Sequence, residues 1–172
     1  HVSVTAPGLD TTVHGGIRGM ADEAMHVRQE ALHQLDLAGR SNETVSAIAW
    51  IGYDPPQVGG AETLGGALQG GYEVSHTGVA SAGAHDLARF YDGLTAVHEG
   101  PLDLTAIGHS YGSLTTGLAL QEPGNHGVDN ALFYGSPGIS ASTVQNPGLQ
   151  PGHVFTMETH DDPIQLVYDA PP

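Results

Sequence analysis

One stretch, residues 102–121 (LDLTAIGHSYGSLTTGLALQ), constrains the fold more than any other part of the chain. It opens with apolar residues that suit a buried parallel strand. It closes at helical spacing, with Tyr111, Leu114 and Leu118 on one face. Between the two parts lies a sharp turn, GHSYG at residues 108–112. A strand that passes directly into a helix through G-x-S-x-G predicts a βα unit with a serine at the turn.

The serine of this turn, Ser110, is the candidate nucleophile. In such a turn the serine adopts a strained backbone conformation, and its hydroxyl lies above the edge of the sheet. We expect Gly108 and Gly112 to be required because neighbouring backbone comes too close to tolerate a Cβ. The helix behind the serine begins with N–H groups and a positive dipole end that suit a developing oxyanion. An incidental turn is the alternative interpretation, since 25 of the 172 residues are glycine.

Composition excludes several classes of protein. The formal net charge is −15 at pH 7, so we expect neither nucleic acid nor an anionic membrane surface as a partner. The chain has no lysine, which excludes a P-loop and a lysine Schiff base within it, and no cysteine, which excludes disulfides and a thiol nucleophile. No apolar run is long enough to span a bilayer, so we predict no stable membrane insertion.

Neither a metal nor a cofactor is predicted. The chain has 11 histidines, but no H-E-x-x-H or comparable ligand spacing occurs among them. Paired glycines recur within residues 58–78, but they do not follow a strand that opens a helix, as a dinucleotide-binding motif requires. That segment has weak periodicity and is either a flap near the active site or a surface connection.

The rest of the chain alternates between strand and helix patterns. Apolar runs predict strands at residues 2–6, 44–51, from 102, 128–134 and 153–158. Helical periodicity covers residues 17–37 and 79–97 and resumes after the GHSYG turn. The composition of residues 44–51 predicts a strand buried on both faces. This alternation predicts an α/β fold, a three-layer αβα sandwich around a mostly parallel, doubly wound sheet without a cap domain.

Four sequence blocks occur in an order that resembles the α/β-hydrolase superfamily. They are VTAPGLDTT (4–12), AWIGYDPP (49–56), IGHSYGS (107–113) and YGSPG (134–138). Within the superfamily the chain is most similar to an actinobacterial family of uncharacterised function, related in outline to cutinases and triacylglycerol lipases. The resemblance implies that residues 1–172 form a single, minimal or truncated α/β-hydrolase domain. It also implies a serine hydrolase that acts on carboxylic esters through an acyl-enzyme.

The resemblance also implies roles for individual residues. Ser110 would be the nucleophile, and the oxyanion would be held by the backbone N–H of Tyr111 and by one from the turn at Leu9. Asp162 resembles the acid of the catalytic triad because it lies in a loop after a late strand and precedes a proline. Its neighbour Asp161 is the alternative.

Candidate pocket residues follow the predicted strands at the carboxyl edge of the sheet, where ligands bind in open α/β folds. Asp10 lies in the loop after the first strand, and a capping or turn role is its alternative. Tyr53 and Asp54 follow the second strand and either line the pocket or form a structural turn. The set is completed by His109 and Ser136.

The catalytic histidine is the missing member of the triad. The superfamily order is serine, acid, histidine, yet no histidine follows His160 and the chain ends at Pro172. His109 should point away from the substrate face, His160 immediately precedes the acids, and His14 lies on the predicted loop that carries the candidate oxyanion donor. We therefore expect the histidine, with one more strand, in sequence beyond Pro172.

The predicted partner is a small-molecule or lipid-like ester substrate. A cleft without a cap suits soluble short- or medium-chain esters and esters on a larger surface. The alternative from another class of protein is a binding module that keeps the hydrolase scaffold but lacks a complete triad, since the fold alone does not determine function. The sequence leaves the oligomeric state and the compartment open.

Overall fold

The computed structural model describes residues 1–9, 11–55, 72–141 and 148–160. Strands and helices alternate along the chain, as the sequence pattern predicts. In chain order they are β1 (Val2–Ala6), α1 (Val13–Leu37), β2 (Ser46–Ala49), α2 (Tyr72–Val97), β3 (Leu104–His109), α3 (Tyr111–Ala119), β4 (Asn130–Tyr134) and β5 (Val154–Met157). None of the helices in these ranges is both long and apolar enough to cross a membrane.

The five described strands form one sheet in the order β2-β1-β3-β4-β5, and every neighbouring pair is parallel. In the register of this sheet, Ala6 of β1 lies opposite Gly108 of β3, and His109 lies opposite Tyr134 of β4. The carboxyl ends of β1, β3 and β4 therefore meet at one edge. The strand order changes direction beside β1, which makes the gap between β1 and β3 the topological switch point of the sheet.

Helices cover both faces of the sheet. The step from β1 to β2 runs opposite to the later steps, and parallel crossovers are right-handed, so α1 lies on one face while α2 and α3 share the other. Contacts between α2 and α3, and between α1 and β2, agree with this arrangement. The predicted three-layer αβα sandwich with a parallel, doubly wound sheet is confirmed.

The main core lies between the sheet and the α2/α3 layer. Val4, Ala106 and Phe133 project from neighbouring strands, and Leu87 and Tyr91 of α2 pack onto them. Each of these side chains is at most 1% exposed. Burial of a large apolar side chain contributes about 1.5–3 kcal/mol. These contacts therefore hold α2 against the sheet.

Strand β2 differs from its prediction. It spans Ser46–Ala49, and its residues are half-buried or exposed rather than buried on both faces. The reason is its position at the end of the order of the described strands, among which it pairs only with β1. Trp50, predicted within the strand, follows its end and is 7% exposed.

Two helices begin earlier than the periodicity predicts. Helix α1 begins at Val13 because Thr12, in an extended conformation, accepts a hydrogen bond from the backbone N–H of Gly15 at 2.9 Å, a typical N-cap. Helix α2 begins at Tyr72, seven residues before the predicted start, so the end of the predicted glycine-rich connection is helical. The remainder of that connection, residues 58–71, lies outside the described residues.

Candidate active site

Ser110 occupies an unusual backbone conformation at the junction of β3 and α3. Its φ is 51° and its ψ is −125°, a region that L residues rarely adopt. Backbone hydrogen bonds hold the turn: the N–H of Ser110 donates to the carbonyl of Tyr134 at 3.0 Å, and the N–H of Ser113 donates to the carbonyl of Ser110 at 2.9 Å. The hydroxyl of Ser110 does not cap α3. The turn is therefore formed without using this hydroxyl.

The two glycines of the G-x-S-x-G motif are required by close packing. A Cβ on Gly108 would lie 2.6 Å from the Cα of Ser113. A Cβ on Gly112 would lie 2.3 Å from the carbonyl oxygen of Ala6 and 2.5 Å from that of Pro7. Real Cβ atoms do not approach backbone so closely, so the expectation drawn from the sequence is confirmed.

The loop after β1 packs directly against Ser110. A Cβ on Gly8 would lie 2.9 Å from the Cβ of Ser110 and 3.4 Å from its Oγ. Leu9, the next residue, is half-buried. Tyr111 is the first residue of α3, so its backbone N–H belongs to the positive end of that helix. Both candidate oxyanion donors are thus within segments that adjoin the serine.

Tyr53 is packed between two other aromatic rings. Its ring centroid lies 5.7 Å from that of Trp50 and 6.2 Å from that of Tyr111, with an interplanar angle of 21° in each pair. Its hydroxyl donates a hydrogen bond to the carbonyl oxygen of Pro7 at 2.8 Å. Burial raises the pKa of Tyr53 and raises the pKa of Tyr111 to about 12. These contacts favour the structural role for Tyr53, whereas Asp54 is exposed.

His109, immediately before the serine, stacks on the ring of Tyr134 with centroids 4.5 Å apart and an interplanar angle of 12°. The hydroxyl of Tyr134 donates to a carboxylate oxygen of Glu23 on α1. Burial, then the hydrogen bond and charge of Glu23, raise the pKa of Tyr134. Among the side chains that the structure describes, no imidazole is hydrogen-bonded to the Oγ of Ser110.

The remaining predicted site residues are spread around this edge or fall outside the described ranges. Ser136 is half-buried, and its Oγ accepts a hydrogen bond from the N–H of Gly138 at 3.1 Å. His14 and His160 are exposed. The candidate acids Asp10, Asp161 and Asp162 lie outside the described residues. Their roles stay predictions.

Two contacts near the serine were not expected from the sequence. Tyr53 and Pro7 are 46 positions apart, and Glu23 and Tyr134 are 111 positions apart. Glu23 reads in the sequence as one acidic residue of an amphipathic helix, and no local pattern distinguishes it. Only the tertiary structure brings Glu23 of α1 to Tyr134 at the end of β4.

A polar cavity of about 670 Å³ lies at the opposite, amino-terminal edge of the sheet. Its charged groups bond to one another: the ring of His1 contacts Asp103 at 2.6 Å and Glu43 at 2.7 Å, and Arg40 pairs with Glu43. Within the part of the chain that the structure describes, no three histidine, aspartate or glutamate side chains gather as metal ligands. This cavity lies at the amino ends of the strands, whereas Ser110 follows the carboxyl end of β3.

The chain is similar to a known protein family and to two mycobacterial proteins. A family model described as alpha/beta hydrolase matches residues 1–171. An uncharacterised protein of Mycobacterium tuberculosis is 38% identical over 158 residues, which cover 91% of this chain and 54% of that protein. A second uncharacterised protein of that organism is 29% identical over 170 residues, which cover 97% of this chain and 24% of the relative. The chain thus spans about half the length of the first relative, at 54%, and less of the second.

Among solved structures, an iodinated complex of acetyl xylan esterase is 17% identical, with a TM-score of 0.42, and the match covers 93% of this chain and 83% of that one. The family assignment does not depend on this likeness. The family model matches the chain from its first strand past its last described strand, through the strand–serine–helix turn described above. The chain therefore belongs to the alpha/beta hydrolase family.

Proposed function

We propose that the chain carries the nucleophile and the oxyanion site of a serine hydrolase that cleaves carboxylic esters through an acyl-enzyme. The observation that supports this most strongly is the backbone of Ser110, with its φ of 51° and ψ of −125° at the start of α3. A non-glycine residue in such a region costs about 1–3 kcal/mol and persists where the surrounding structure enforces it, as at functional sites. Here the enforcing contacts are the close-packed Gly8, Gly108 and Gly112.

The proposed reaction has two acyl-transfer steps. The Oγ of Ser110 attacks the ester carbonyl while a histidine takes its proton, and the same histidine returns that proton to the departing alcohol as the ester C–O bond breaks. Water, deprotonated by the histidine, then attacks the acyl-serine; the acid is released and Ser110 regains its proton. In both tetrahedral intermediates the oxyanion accepts hydrogen bonds from the N–H of Tyr111 and one from the Gly8–Leu9 turn.

We further propose Asp162 as the acid that orients the histidine, with Asp161 as its alternative. In triads of this kind the carboxylate holds the imidazole in the correct tautomer and stabilises the imidazolium that forms. His109 is a poor candidate for the base because its ring stacks on Tyr134. Residues 1–172 are proposed to act as one domain of this fold.

The proposed substrates are small-molecule or lipid-like esters of short or medium acyl length. The chain's net charge of −15 repels anionic substrates at long range, which favours neutral esters. The rival proposal, a binding module on the same scaffold, predicts ligand binding without covalent chemistry at Ser110.

Covalent labelling of the full-length protein by a fluorophosphonate tests the proposal. Ser110 should react stoichiometrically, and Ser110→Ala should abolish both labelling and the hydrolysis of p-nitrophenyl esters, because no other group replaces an alkoxide nucleophile. Ser46→Ala is the matched control, since Ser46 is an exposed residue at the amino end of β2 and should leave both signals unchanged.

Residual ester hydrolysis by Ser110→Ala within tenfold of the parent rate would contradict the nucleophile assignment. Ligand binding by a parent protein that does not label would favour the binding module instead. Mass spectrometry of the labelled peptide identifies the modified serine directly.

A further inference from the structure

A stack of three aromatic rings lies between the end of β2 and the start of α3. Trp50, Tyr53 and Tyr111 follow one another in this stack, with successive centroids 5.7 Å and 6.2 Å apart. The middle ring carries the hydroxyl that donates to the carbonyl oxygen of Pro7 at 2.8 Å. Pro7 immediately precedes the Gly8–Leu9 turn, so the stack is connected by a hydrogen bond to the loop that packs on Ser110.

We propose that Tyr53 is a positioning residue for ester hydrolysis: its hydroxyl fixes the Pro7–Gly8 peptide and thereby the direction of the oxyanion-binding N–H of the adjoining turn. The inference rests on the proposed serine-hydrolase function and adds a role that lies outside the triad and the oxyanion donors themselves. Tyr53 does not touch substrate in this proposal.

The Pro7 carbonyl is confined from two sides. Besides the Tyr53 hydroxyl, it lies so close to α3 that a Cβ on Gly112 would be only 2.5 Å from it. The peptide bond is planar, and the described chain contains no cis peptide, so the position of the Pro7 oxygen also determines the direction of the Gly8 N–H on the other side of the bond. This peptide is the start of the Gly8–Leu9 turn and directly precedes the N–H of Leu9, so fixing it limits where the turn can place its donor. The proline ring restricts φ before this peptide, which removes another degree of freedom.

Tyr53 is itself held in place, as a positioning residue must be. Its ring faces Trp50 on one side and Tyr111 on the other, an offset-stacked arrangement that aromatic pairs favour. Helix α2 closes a third side, because a Cβ on Gly83 would lie 2.8 Å from the Cγ of Tyr53. A ring with three such neighbours keeps its hydroxyl in one position.

The protonation state of Tyr53 suits a permanent donor. Burial raises the pKa of this phenol above its ordinary value of 10.0. The hydroxyl therefore stays protonated across the pH range in which a histidine acts as a general base. Loss of the phenolic proton therefore does not break the hydrogen bond to Pro7 at those pH values.

The test is Tyr53→Phe in the full-length protein, which keeps the stacked ring and removes only the hydroxyl. Loss of a complete oxyanion donor lowers kcat by about 10²–10³, and a donor that is misaligned rather than removed should cost less, about tenfold. We expect kcat for a p-nitrophenyl ester to fall about tenfold, with KM changed less than about twofold. The reason is that the weakened hydrogen bond, from the N–H of the turn to the oxyanion, forms in the transition state. Fluorophosphonate should still label Ser110 to completion, at a reduced rate.

Tyr91→Phe is the matched control. Tyr91 is a fully buried tyrosine of α2 in the same core, about two helical turns beyond Gly83, the residue that packs on Tyr53, so removal of its hydroxyl should leave kcat unchanged. If Tyr53→Phe keeps the parent kcat, or if both variants lose kcat in proportion to a lower Tm, Tyr53 has only a structural role and the inference is wrong. If instead the parent protein does not react at Ser110, the serine-hydrolase proposal itself fails.

Discussion

Ser110 holds a backbone conformation that only glycine adopts without strain, and the residues around it explain why. The serine is fixed by backbone hydrogen bonds to Tyr134 and Ser113, and Gly8 packs against its Cβ. These contacts leave no room for the turn to relax into an ordinary conformation. The strain therefore belongs to the turn and does not depend on the serine hydroxyl.

Replacement of Ser110 by glycine and by alanine separates backbone strain from chemistry. Both variants lose the nucleophile, but Ser110→Gly should be more stable than Ser110→Ala by about 1 kcal/mol, because glycine tolerates a φ of 51° and alanine does not. Urea-unfolding free energies of the two variants give this difference.

The same glycine–alanine exchange in an ordinary helix is the control. Gly93 is an exposed residue of α2, and a Cβ there meets nothing within 4 Å. Gly93→Ala should therefore stabilise the protein by about 0.5–1 kcal/mol. If alanine is preferred over glycine at both positions, Ser110 is not strained.

At the scale of elements, His126 connects α2 to the segment between α3 and β4. The residue is only 8% exposed. Its Nδ1 lies 2.8 Å from a carboxylate oxygen of Asp92, and its Nε2 lies 3.3 Å from the carbonyl oxygen of Glu122. Thr95 of α2 also donates to the carbonyl of His126 at 3.3 Å. One buried imidazole thus joins a helix to the loop that leads into the next strand.

Removal of this imidazole should loosen that connection. His126→Ala should lower the free energy of unfolding by about 2 kcal/mol, since a buried ring with a charged hydrogen-bond partner is lost. His98→Ala is the control, because His98 is exposed near the end of α2 and should change stability by less than about 0.5 kcal/mol. Equal effects of the two substitutions in thermal or urea unfolding would contradict a connecting role for His126.

At the scale of the whole molecule, the buried tyrosines make the fold sensitive to alkali. Burial is the largest cause that raises the pKa of Tyr53, Tyr91, Tyr111 and Tyr134 above the ordinary value of 10.0. The folded protein therefore binds these phenolic protons more tightly than the unfolded chain. Their contribution to stability is complete below about pH 10 and decreases as the pH rises towards the raised values.

Urea unfolding between pH 8 and pH 11.5, with phenolate absorbance followed in parallel, measures this loss. The free energy of unfolding should be constant up to about pH 10 and then fall. Tyr91→Phe should make the fall shallower by up to about 1.4 kcal/mol per pH unit, the linkage value for one proton. An identical fall in parent and variant would show that Tyr91 does not titrate differently in the two states.

Much of the fold and part of the site could be predicted because their signals are local. The strand–turn–helix at Ser110 is encoded in a run of adjacent residues, and the motif glycines follow from steric contacts within that unit. Apolar runs typical of strands alternate with segments of helical periodicity, which predicts parallel βα units and hence three layers. Helix ends were less predictable: Thr12 extends α1 by a cap that periodicity does not register.

What the sequence by itself determined is the set of elements, their parallel connection and the candidate nucleophile, because short-range sterics and periodicity specify each of these. Tertiary structure alone decided that β2 lies at the edge of the five described strands and that Tyr53 contacts Pro7, 46 positions away. Strand order and such contacts depend on which distant surfaces pack together. The packing of those surfaces is determined by the free energy of the whole folded chain. It therefore cannot be predicted from residues that are adjacent in the sequence.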